Sequence, residues 1–413
     1  MNPGVESKLL STARVLVVIL PLCFIVGRVA VDAALTLTAI LFLVRSTMAR
    51  DWQWLHGAWF KVGAALWLWM LIISPFALDP HLSFSQAVPW IRFLIFAAAL
   101  EAWVLNEVWM RRLLWVATGV VVFVACDTWL QYLTGSDVFG HARPTMKRLS
   151  GPFDNLMPGI FITKMMFPAV LGALVWHAWQ RAWAKGALLS LILLFVGAIF
   201  ISGERMALLL ALMGLGVAAL LQRGMLRGLL VSSLGLVGVG IVVLSLIDPN
   251  MIVRHVTETE ETVKSLHDSP YGEIWRSALH LTSERPLFGV GMKNFRVACK
   301  DPVLGLPENV EWRCATHTHN LYLEFLTEAG VPGFLGFVLL AIVWLRKLWR
   351  AWRVEPRNEW LLGPLVAVVI LLWPLGPSAS FFSNWLGVTF WLSLGWALAA
   401  ARMRPTVLQK DAT

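Results

Sequence analysis

Three side chains have the residue types that a group transfer from a phosphate leaving group would need. His319 stands in the run THTHN, just before a predicted helix. A helix N-terminus and nearby arginines disfavour the protonated form of an imidazole, so His319 is suited to act as a general base near neutral pH. Arg205 and Arg276 each lie on a predicted helix, and the planar guanidinium group of arginine matches phosphate oxygens. The three residues predict a base-assisted displacement in which two cations stabilise the departing charge.

The same residues have simpler interpretations that the sequence leaves open. Each arginine could be a solvated surface residue, or it could pair with a neighbouring glutamate, Glu204 or Glu273. His319 could be an ordinary loop histidine, or it could bind a metal together with His317. We expect no metal and no nucleotide cofactor, because no carboxylate or third histidine stands nearby at ligand spacing and the chain lacks a D-x-D motif.

Further polar residues near these positions are supporting candidates. Asn320 is expected to cap the helix that follows it, with a substrate contact as the alternative. Glu324 and Glu328 lie four residues apart on that helix, where they either support the site or form a solvated face. Lys147 and Arg148, in an earlier connection, are candidates for additional phosphate or sugar contacts.

Charged residues within apolar segments need a reason to be there. Arg92 lies about one turn from the end of its segment, where it either snorkels to the interface or faces a phosphate group. Lys164 and Asp127 are expected to pair with each other in a structural role.

The chain that carries these residues is strongly apolar. Of its 413 residues 58% are hydrophobic and 14% charged, and the mean hydropathy is +0.69. Soluble proteins have about a quarter of their residues charged, and disordered chains have low hydrophobicity. The sequence has 23 Trp but 3 Tyr, and tryptophan favours the membrane–water interface. These features predict an all-α polytopic membrane protein.

A membrane-spanning helix needs roughly 20 mostly apolar residues. Segments of this kind predict about twelve transmembrane helices. The first two are the least clearly separated, because only a few residues around Arg28 to Asp32 lie between them. The predicted segments are 12–30, 31–45, 59–76, 87–106, 113–134, 158–178, 186–202, 206–222, 228–247, 332–347, 361–375 and 382–401.

Lys and Arg concentrate in alternate connections, and this bias predicts that both termini are cytoplasmic. The segments 77–86 and 376–381, which fall on the other side, contain neither residue. Much of the net charge of +9 is therefore topogenic, so we expect no nucleic-acid partner. The first apolar segment lacks a small-residue cleavage site, so no cleavable signal peptide is expected. The basic residues predicted inside are Arg45, Arg50, Arg111, Arg112, Arg181, Lys185, Arg223, Arg227, Arg346, Lys347, Arg350, Arg353, Arg357, Arg402, Arg404 and Lys410.

Two outer connections are too long to be simple links, and long structured connections are usually functional. The smaller is 135–157 and the larger 248–331, which divides the chain into 1–247, 248–331 and 332–413. Within the larger one we predict a helix over 270–284, with Trp275 and Leu279 on its apolar face, followed by a turn at Gly289 and Gly291. A second helix should start near His319 and end near Gly330.

The four cysteines fall into two pairs. Cys23 and Cys126 lie in predicted membrane helices and are expected to be packing residues. Cys299 and Cys314 lie in the larger outer connection, and an extracytoplasmic compartment favours a disulfide between them. The alternative is two free thiols that are too far apart to join.

The motifs of the large connection resemble the O-antigen ligase and polymerase superfamily. The matching stretches are RSALHLTSERPLFGVGMKNF and HTHNLYLEFLTEAGVPG, which contain an Arg on a helix, E-x-P-L-x-G-x-G, and H-N followed by a helix. The family's S-x-S-R stretch is SGER here, with Glu204 before Arg205. A third stretch, Arg148 to Asn155, has Asp154 where the family has Pro.

The resemblance implies a membrane glycosyltransferase with a GT-C-like fold that uses a polyprenyl-diphosphate-linked glycan. The predicted activity is that of an O-antigen ligase, which moves a glycan polymer from undecaprenyl diphosphate to the lipid A–core oligosaccharide with inversion. His319 would be the base, and Arg205, Arg276, Arg148, Lys147 and Arg92 would bind the diphosphate.

The same resemblance implies a bacterial inner membrane location with a periplasmic active site. We expect a monomer among membrane lipids. The alternatives are an O-antigen polymerase, a protein O-oligosaccharyltransferase, and, from a different class, a transporter. A transporter would carry charged residues along its membrane helices near the midplane, and this chain has few of these.

Overall fold

The computed structural model describes residues 3–171, 182–305, 314–356, 358–375 and 378–403. Within these ranges the regular secondary structure is helical, and no strand is formed. The fold confirms the prediction of an all-α polytopic membrane protein.

Most of the described helices follow one another with short connections. The exceptions are the smaller connection between Thr134 and Pro158, which has no helix, and the large connection, where short helices alternate with turns. In chain order they are α1 (Pro3–Val26), α2 (Arg28–Ala49), α3 (Ala58–Ile73), α4 (Pro80–Ala99), α5 (Glu107–Thr134), α6 (Pro158–Met166), α7 (Ala182–Ile201), α8 (Arg205–Leu221), α9 (Gly224–Ile247), α10 (Pro249–Ile252), α11 (Glu258–Lys264), α12 (Pro270–Glu284), α13 (Phe295–Ala298), α14 (Leu321–Val354), α15 (Glu359–Leu371) and α16 (Leu386–Arg402).

Within the described ranges eight helices are long and apolar enough to cross a membrane, namely α1 to α5, α7, α9 and α14. Helices α6, α8, α15 and α16 are apolar but shorter. Each of the twelve predicted segments coincides with one of these helices. The predicted segment 158–178 runs past Leu171 into residues outside the described ranges. Four of the basic residues predicted to be cytoplasmic also lie outside these ranges, namely Arg181, Arg357, Arg404 and Lys410.

The largest difference from the predicted boundaries is in α14. The predicted short helix before Gly330 and the predicted span 332–347 form one helix of 34 residues, bent where Gly330 takes φ 70° and ψ −177°. Gly330 has a backbone conformation that side chains rarely allow, so the predicted break appears as a kink rather than an end.

Tryptophans also fill the interior of the bundle rather than only its interface. Trp391 of α16 packs edge-on against Trp90 of α4 and Trp344 of α14, with ring centroids 5.6 and 5.7 Å apart, and Phe93 stacks on it at 5.7 Å. Trp90, Trp344 and Trp391 are fully buried. These rings join α4, α14 and α16 into one apolar core.

The large connection has a small core of its own. Ile274, Ala278 and Leu281 of α12 pack with Phe295 and Ala298 of α13. The predicted apolar face of α12 is therefore wrong by about one residue: Leu279 is 53% exposed, and the buried positions follow the spacing i, i+4, i+7 from residue 274.

The structure joins Cys299 and Cys314 by a disulfide, with their Cα atoms 5.4 Å apart. Cys299 is buried in the small core of the large connection. The bridge therefore ties the residues before His319 to α13.

Candidate active site

A cavity of about 560 Å³ lies between the large connection and the apolar helices. Its walls come from α6, α8, the end of α15 and the start of α16, and its rim comes from α11, the first turn of α12 and residues 317–321. The wall is mostly aliphatic and aromatic, whereas polar residues cluster at the rim. A long apolar ligand with a charged head would match this division.

The charged residues that line the cavity are mainly cationic. Among the described residues they are Arg148, Lys164, Arg205 and Arg254, against a single carboxylate, Glu204. Because the cavity wall is apolar, these positive charges act in a medium of low dielectric and attract an anion strongly.

Arg205 occupies the start of α8 at the cavity rim. Its guanidinium group donates long hydrogen bonds to the hydroxyls of Thr259 and Thr262 of α11, at 3.4 and 3.3 Å. The expected alternative, a pair with Glu204, is not observed. Glu204 instead accepts the backbone N–H groups of Gly159 and Ile160 at 3.1 and 2.8 Å. Thus the glutamate in SGER caps α6 and leaves Arg205 facing the cavity.

Arg148 is brought to Arg205 by a close backbone approach. The Leu149 N–H donates to the Ser202 carbonyl at 3.3 Å. Gly203 has φ 74°, and a Cβ there would lie 2.0 Å from the Lys147 carbonyl oxygen, so only glycine fits. The Arg148 guanidinium group donates to the Leu156 carbonyl at 3.2 Å, and burial lowers its pKa. The third matched stretch therefore packs directly on the second.

Arg254 is a cavity residue that the sequence analysis missed. Its Nε donates to the Gly203 carbonyl at 2.9 Å, and its Nη1 pairs with Glu258. Lys147 contacts the other oxygen of Glu258 at 2.9 Å and does not line the cavity. Burial raises the pKa of Glu258, but hydrogen bonds from Lys147 and Arg254 outweigh it and hold the pKa below its ordinary value. The missed signal was a basic residue between Val253 and His255, in the connection predicted to lie opposite the topogenic arginines.

His319 lines the cavity beside His317, with ring centroids 4.0 Å apart, and Tyr271 packs edge-on at 5.9 Å. The backbone of His319 takes φ 53°, and its carbonyl accepts the Ser378 N–H at 2.6 Å. Within the described residues no side chain or backbone group hydrogen-bonds to the His319 ring. Burial lowers the pKa of His319. The sequence analysis attributed this shift to a helix N-terminus and nearby arginines, whereas in the structure burial is its cause.

His317 differs from His319 because both its ring nitrogens are engaged. Nε2 lies 3.2 Å from the Ser378 carbonyl, and Nδ1 lies 3.1 Å from the Thr316 hydroxyl. A carbonyl only accepts, so Nε2 carries the proton and Nδ1 accepts. Burial, together with the charge of His319, lowers the pKa of His317 to about 3. Of the two histidines, only His319 has ring nitrogens that lack a hydrogen bond from the part of the chain that the structure describes, and it lines the cavity.

A metal site at His317 and His319 would need at least one further ligand. Across the ranges that the structure describes, no three His, Cys, Asp or Glu side chains are grouped so that they could hold a metal ion.

Asn320 and Glu324 fix the start of α14. The Asn320 side chain accepts the N–H groups of Tyr322 and Leu323 at 3.0 and 3.1 Å, as expected for a cap, and its Nδ2 donates to the Pro374 carbonyl. Glu324 is 1% exposed and accepts the Ser380 hydroxyl and the Phe381 N–H. It is therefore buried and holds residues 380 and 381, and it is not part of a solvated face.

Glu328, also 1% exposed, holds the E-x-P-L-x-G-x-G turn. Its carboxylate accepts the Lys293 N–H at 2.6 Å, and its backbone carbonyl accepts the Gly291 N–H at 3.0 Å. Gly289 and Gly330 meet in this contact, where a Cβ on either would lie within 2.6 Å of backbone atoms. The two matched motifs of the large connection therefore interlock and position His319.

Arg276 and Arg92 lie away from the cavity lining. Arg276 pairs with Glu273 one turn earlier on α12, the alternative left open above. Arg92 pairs with Asp32 of α2 at 2.6 Å. Each cation is thus compensated by a carboxylate in the structure.

The expected pair between Lys164 and Asp127 is wrong. Asp127 accepts the Val138 N–H at 2.7 Å, whereas Lys164 donates to the Leu386 carbonyl at 3.3 Å and lines the cavity. The smaller connection folds back over the end of α5, and its Val138 N–H takes the place of Lys164 as the partner of the Asp127 carboxylate.

Comparison with known proteins bears on the same region. A family model described as O-antigen ligase matches residues 188–338, from α7 through the kink of α14. Comparison with curated proteins gave no match. The matched range contains Arg205, Arg254 and His319, and it confirms the resemblance to the O-antigen ligase and polymerase superfamily.

Proposed function

Because the chain is a member of the O-antigen ligase and polymerase superfamily, we propose that it is an O-antigen ligase. It would transfer a glycan polymer from undecaprenyl diphosphate to the lipid A–core oligosaccharide at the periplasmic face of the bacterial inner membrane. One observation carries the proposal: a free imidazole and three arginines line the rim of a single cavity whose wall is apolar.

The proposed reaction is one displacement. His319 accepts the proton of the acceptor hydroxyl, and the oxygen attacks the anomeric carbon from the face opposite the diphosphate. The bond from that carbon to the diphosphate oxygen breaks, and its electron pair leaves with the diphosphate. Attack opposite the leaving group inverts the anomeric centre.

Arg148, Arg205 and Arg254 would stabilise the charge that develops on the diphosphate. Preorganised cations in a water-poor site supply this stabilisation without reorganisation in the reaction. Arg276, Arg92 and Lys147 lie outside the cavity lining, and each pairs with a carboxylate there, so we assign them supporting roles.

The test begins with a strain that lacks the gene, restored with wild type, His319→Ala or His280→Ala. His280 is the matched control, because it is a half-buried histidine of α12 outside the cavity lining. Loss of long-chain lipopolysaccharide in His319→Ala, with polymer accumulating on undecaprenyl diphosphate, would support a ligase. Removal of a general base should lower transfer by about 10²–10⁴-fold in a purified assay.

Other outcomes would reassign the function. Core carrying a single repeat unit in the deletion strain would indicate a polymerase, and an unchanged lipopolysaccharide ladder with altered protein glycans would indicate transfer to protein. Full activity of His319→Ala would contradict the mechanism.

The arginine assignment has its own comparison. Arg254→Met should reduce transfer by about tenfold or more, as expected for loss of a charge-assisted hydrogen bond to phosphate. Arg276→Met should reduce it much less, because that guanidinium group is held by Glu273 outside the cavity lining. Equal losses in both variants would contradict the assignment.

A further inference from the structure

Lys164 is a cation that the proposed mechanism does not use. It lies on α6 and lines the cavity among apolar residues of α8, α15 and α16. Its ammonium group donates to the Leu386 carbonyl at 3.3 Å. No carboxylate within the described ranges pairs with it, and its expected partner Asp127 is engaged elsewhere.

An uncompensated ammonium group in an apolar membrane protein interior is costly, and such residues generally mark ligand sites. An ammonium group has three N–H donors, and one long hydrogen bond to a carbonyl satisfies only one of them. Lys164 lines the cavity, where an anion would compensate the charge and accept the remaining donors.

The position of Lys164 relative to the arginines defines which part of a ligand it would meet. Glu204, which precedes Arg205 in the sequence, accepts the Ile160 N–H at the start of α6. The start of α6 therefore lies beside Arg205. Lys164 follows Ile160 by one helical turn, or about 6 Å along the axis. The Thr163 hydroxyl donates to the Ala207 carbonyl at 3.0 Å, so α6 and α8 descend side by side. Lys164 therefore lies about one turn deeper in the apolar wall than the rim arginines.

We propose that Lys164 binds a lipid-borne phosphate one turn below the rim arginines. The inference rests on the proposed function, in which this group is the phosphate that carries the polyprenyl chain. The apolar wall around Leu210, Leu371 and Phe390 then receives the first part of that chain. The same chemistry would fit the phosphate of a glycerophospholipid, and the experiment separates these two sources.

The experiment measures lipid binding to the full-length protein in phosphatidylcholine nanodiscs. The probes are undecaprenyl diphosphate without a glycan and, separately, phosphatidylglycerol. Lys164→Gln is the main variant, because its amide keeps an N–H donor but carries no charge. Lys164→Arg restores the charge, and Lys61→Met removes an exposed lysine from α3 as the matched control.

We expect Lys164→Gln to weaken undecaprenyl diphosphate binding by roughly ten- to a hundredfold, and Lys164→Arg to restore most of it. Lys61→Met should bind as wild type. The lipid-free Lys164→Gln protein should unfold at the same temperature or a higher one, because a buried charge has been removed. A residue needed only for packing would instead lower the unfolding temperature in proportion to the lost binding.

The remaining outcomes separate this inference from the proposed function. Wild-type binding by Lys164→Gln, together with weak binding by Arg205→Met, would overturn the role of Lys164 and leave the ligase proposal standing. Absence of undecaprenyl diphosphate binding by the wild type would contradict the proposed function itself. If phosphatidylglycerol binds as tightly and also depends on Lys164, the site takes lipid phosphates in general.

Discussion

Replacing Gly330 with alanine should release the turn that holds the start of α14. Gly330 has φ 70° and ψ −177°, a conformation that almost only glycine adopts. A Cβ there would lie 2.2 Å from the Leu287 carbonyl oxygen and 2.6 Å from its carbon. Because both are backbone atoms, the alanine can be accommodated only if the turn moves.

The magnitude follows from two contributions. The backbone conformation costs a non-glycine residue about 1–3 kcal/mol. Movement of the turn also weakens the hydrogen bonds from Val331 N–H to the Pro286 carbonyl, at 2.8 Å, and from Gly291 N–H to the Glu328 carbonyl, at 3.0 Å. Each is worth about 1 kcal/mol. We therefore expect Gly330→Ala to lower the free energy of unfolding by about 3–5 kcal/mol.

The assay is unfolding in detergent, followed by tryptophan fluorescence, together with glycan transfer at a temperature where the variant is folded. Gly336→Ala is the matched control on the same helix. Its Cβ would meet only the end of the Leu66 side chain at 3.2 Å, and alanine favours a helix over glycine by up to about 1 kcal/mol.

Transfer by folded Gly330→Ala should also fall, because His319 lies on the segment that the turn positions. Two results would refute this reasoning. One is a Gly330→Ala protein as stable as wild type. The other is equal destabilisation by Gly336→Ala, which would show that any added methyl group on α14 is harmful.

Three further predictions concern protonation and the disulfide. Burial lowers the pKa of His319 below 6.5, so the imidazole is already neutral at pH 7. The loss of kcat/KM on acidification should therefore occur below pH 6.5. A loss that begins above pH 6.5 would contradict the role of His319 as the base. Burial raises the pKa of Glu204 from 4.5 to about 7, so its contribution to stability is present at low pH and lost as the pH rises through that window. The unfolding free energy of wild type relative to Glu204→Gln should therefore fall from about pH 4.5 to about pH 7, and a difference independent of pH would show that the carboxyl group titrates normally. Finally, maleimide should label Cys299 and Cys314 only after reduction, and labelling without reduction would contradict the disulfide.

Much of the fold could be predicted from the sequence because its determinants are local. Apolar segments of the required length are visible without tertiary information, and each predicted segment coincides with a helix. The break at Gly330 was also visible, since a glycine followed by Pro332 interrupts a helical pattern. Its form as a kink was not, because the kink depends on contact with the distant residues Pro286 and Leu287.

The site was predicted less completely, for a related reason. His319, Arg205 and Arg148 line the cavity as expected, but sequence cannot tell a cation that faces a cavity from one that meets a carboxylate on another element. Arg92 meets Asp32, which is 60 residues away, and the pairing cannot be inferred from spacing. Arg276 meets Glu273 locally, so that alternative was foreseeable.

The short helix α8 beside the cavity has a consequence for the surrounding lipid. It has 17 residues and exposes Leu209 and Leu220, whereas α16 and most of α15 are buried among other helices. At 1.5 Å per residue α8 extends about 25 Å, less than the hydrocarbon thickness of about 30 Å. This hydrophobic mismatch should thin the adjacent leaflet and bring its head groups down towards the cavity rim. Reconstitution in lipids of increasing acyl length should therefore slow the protein, because a thicker bilayer would hold a lipid head group further above the cavity.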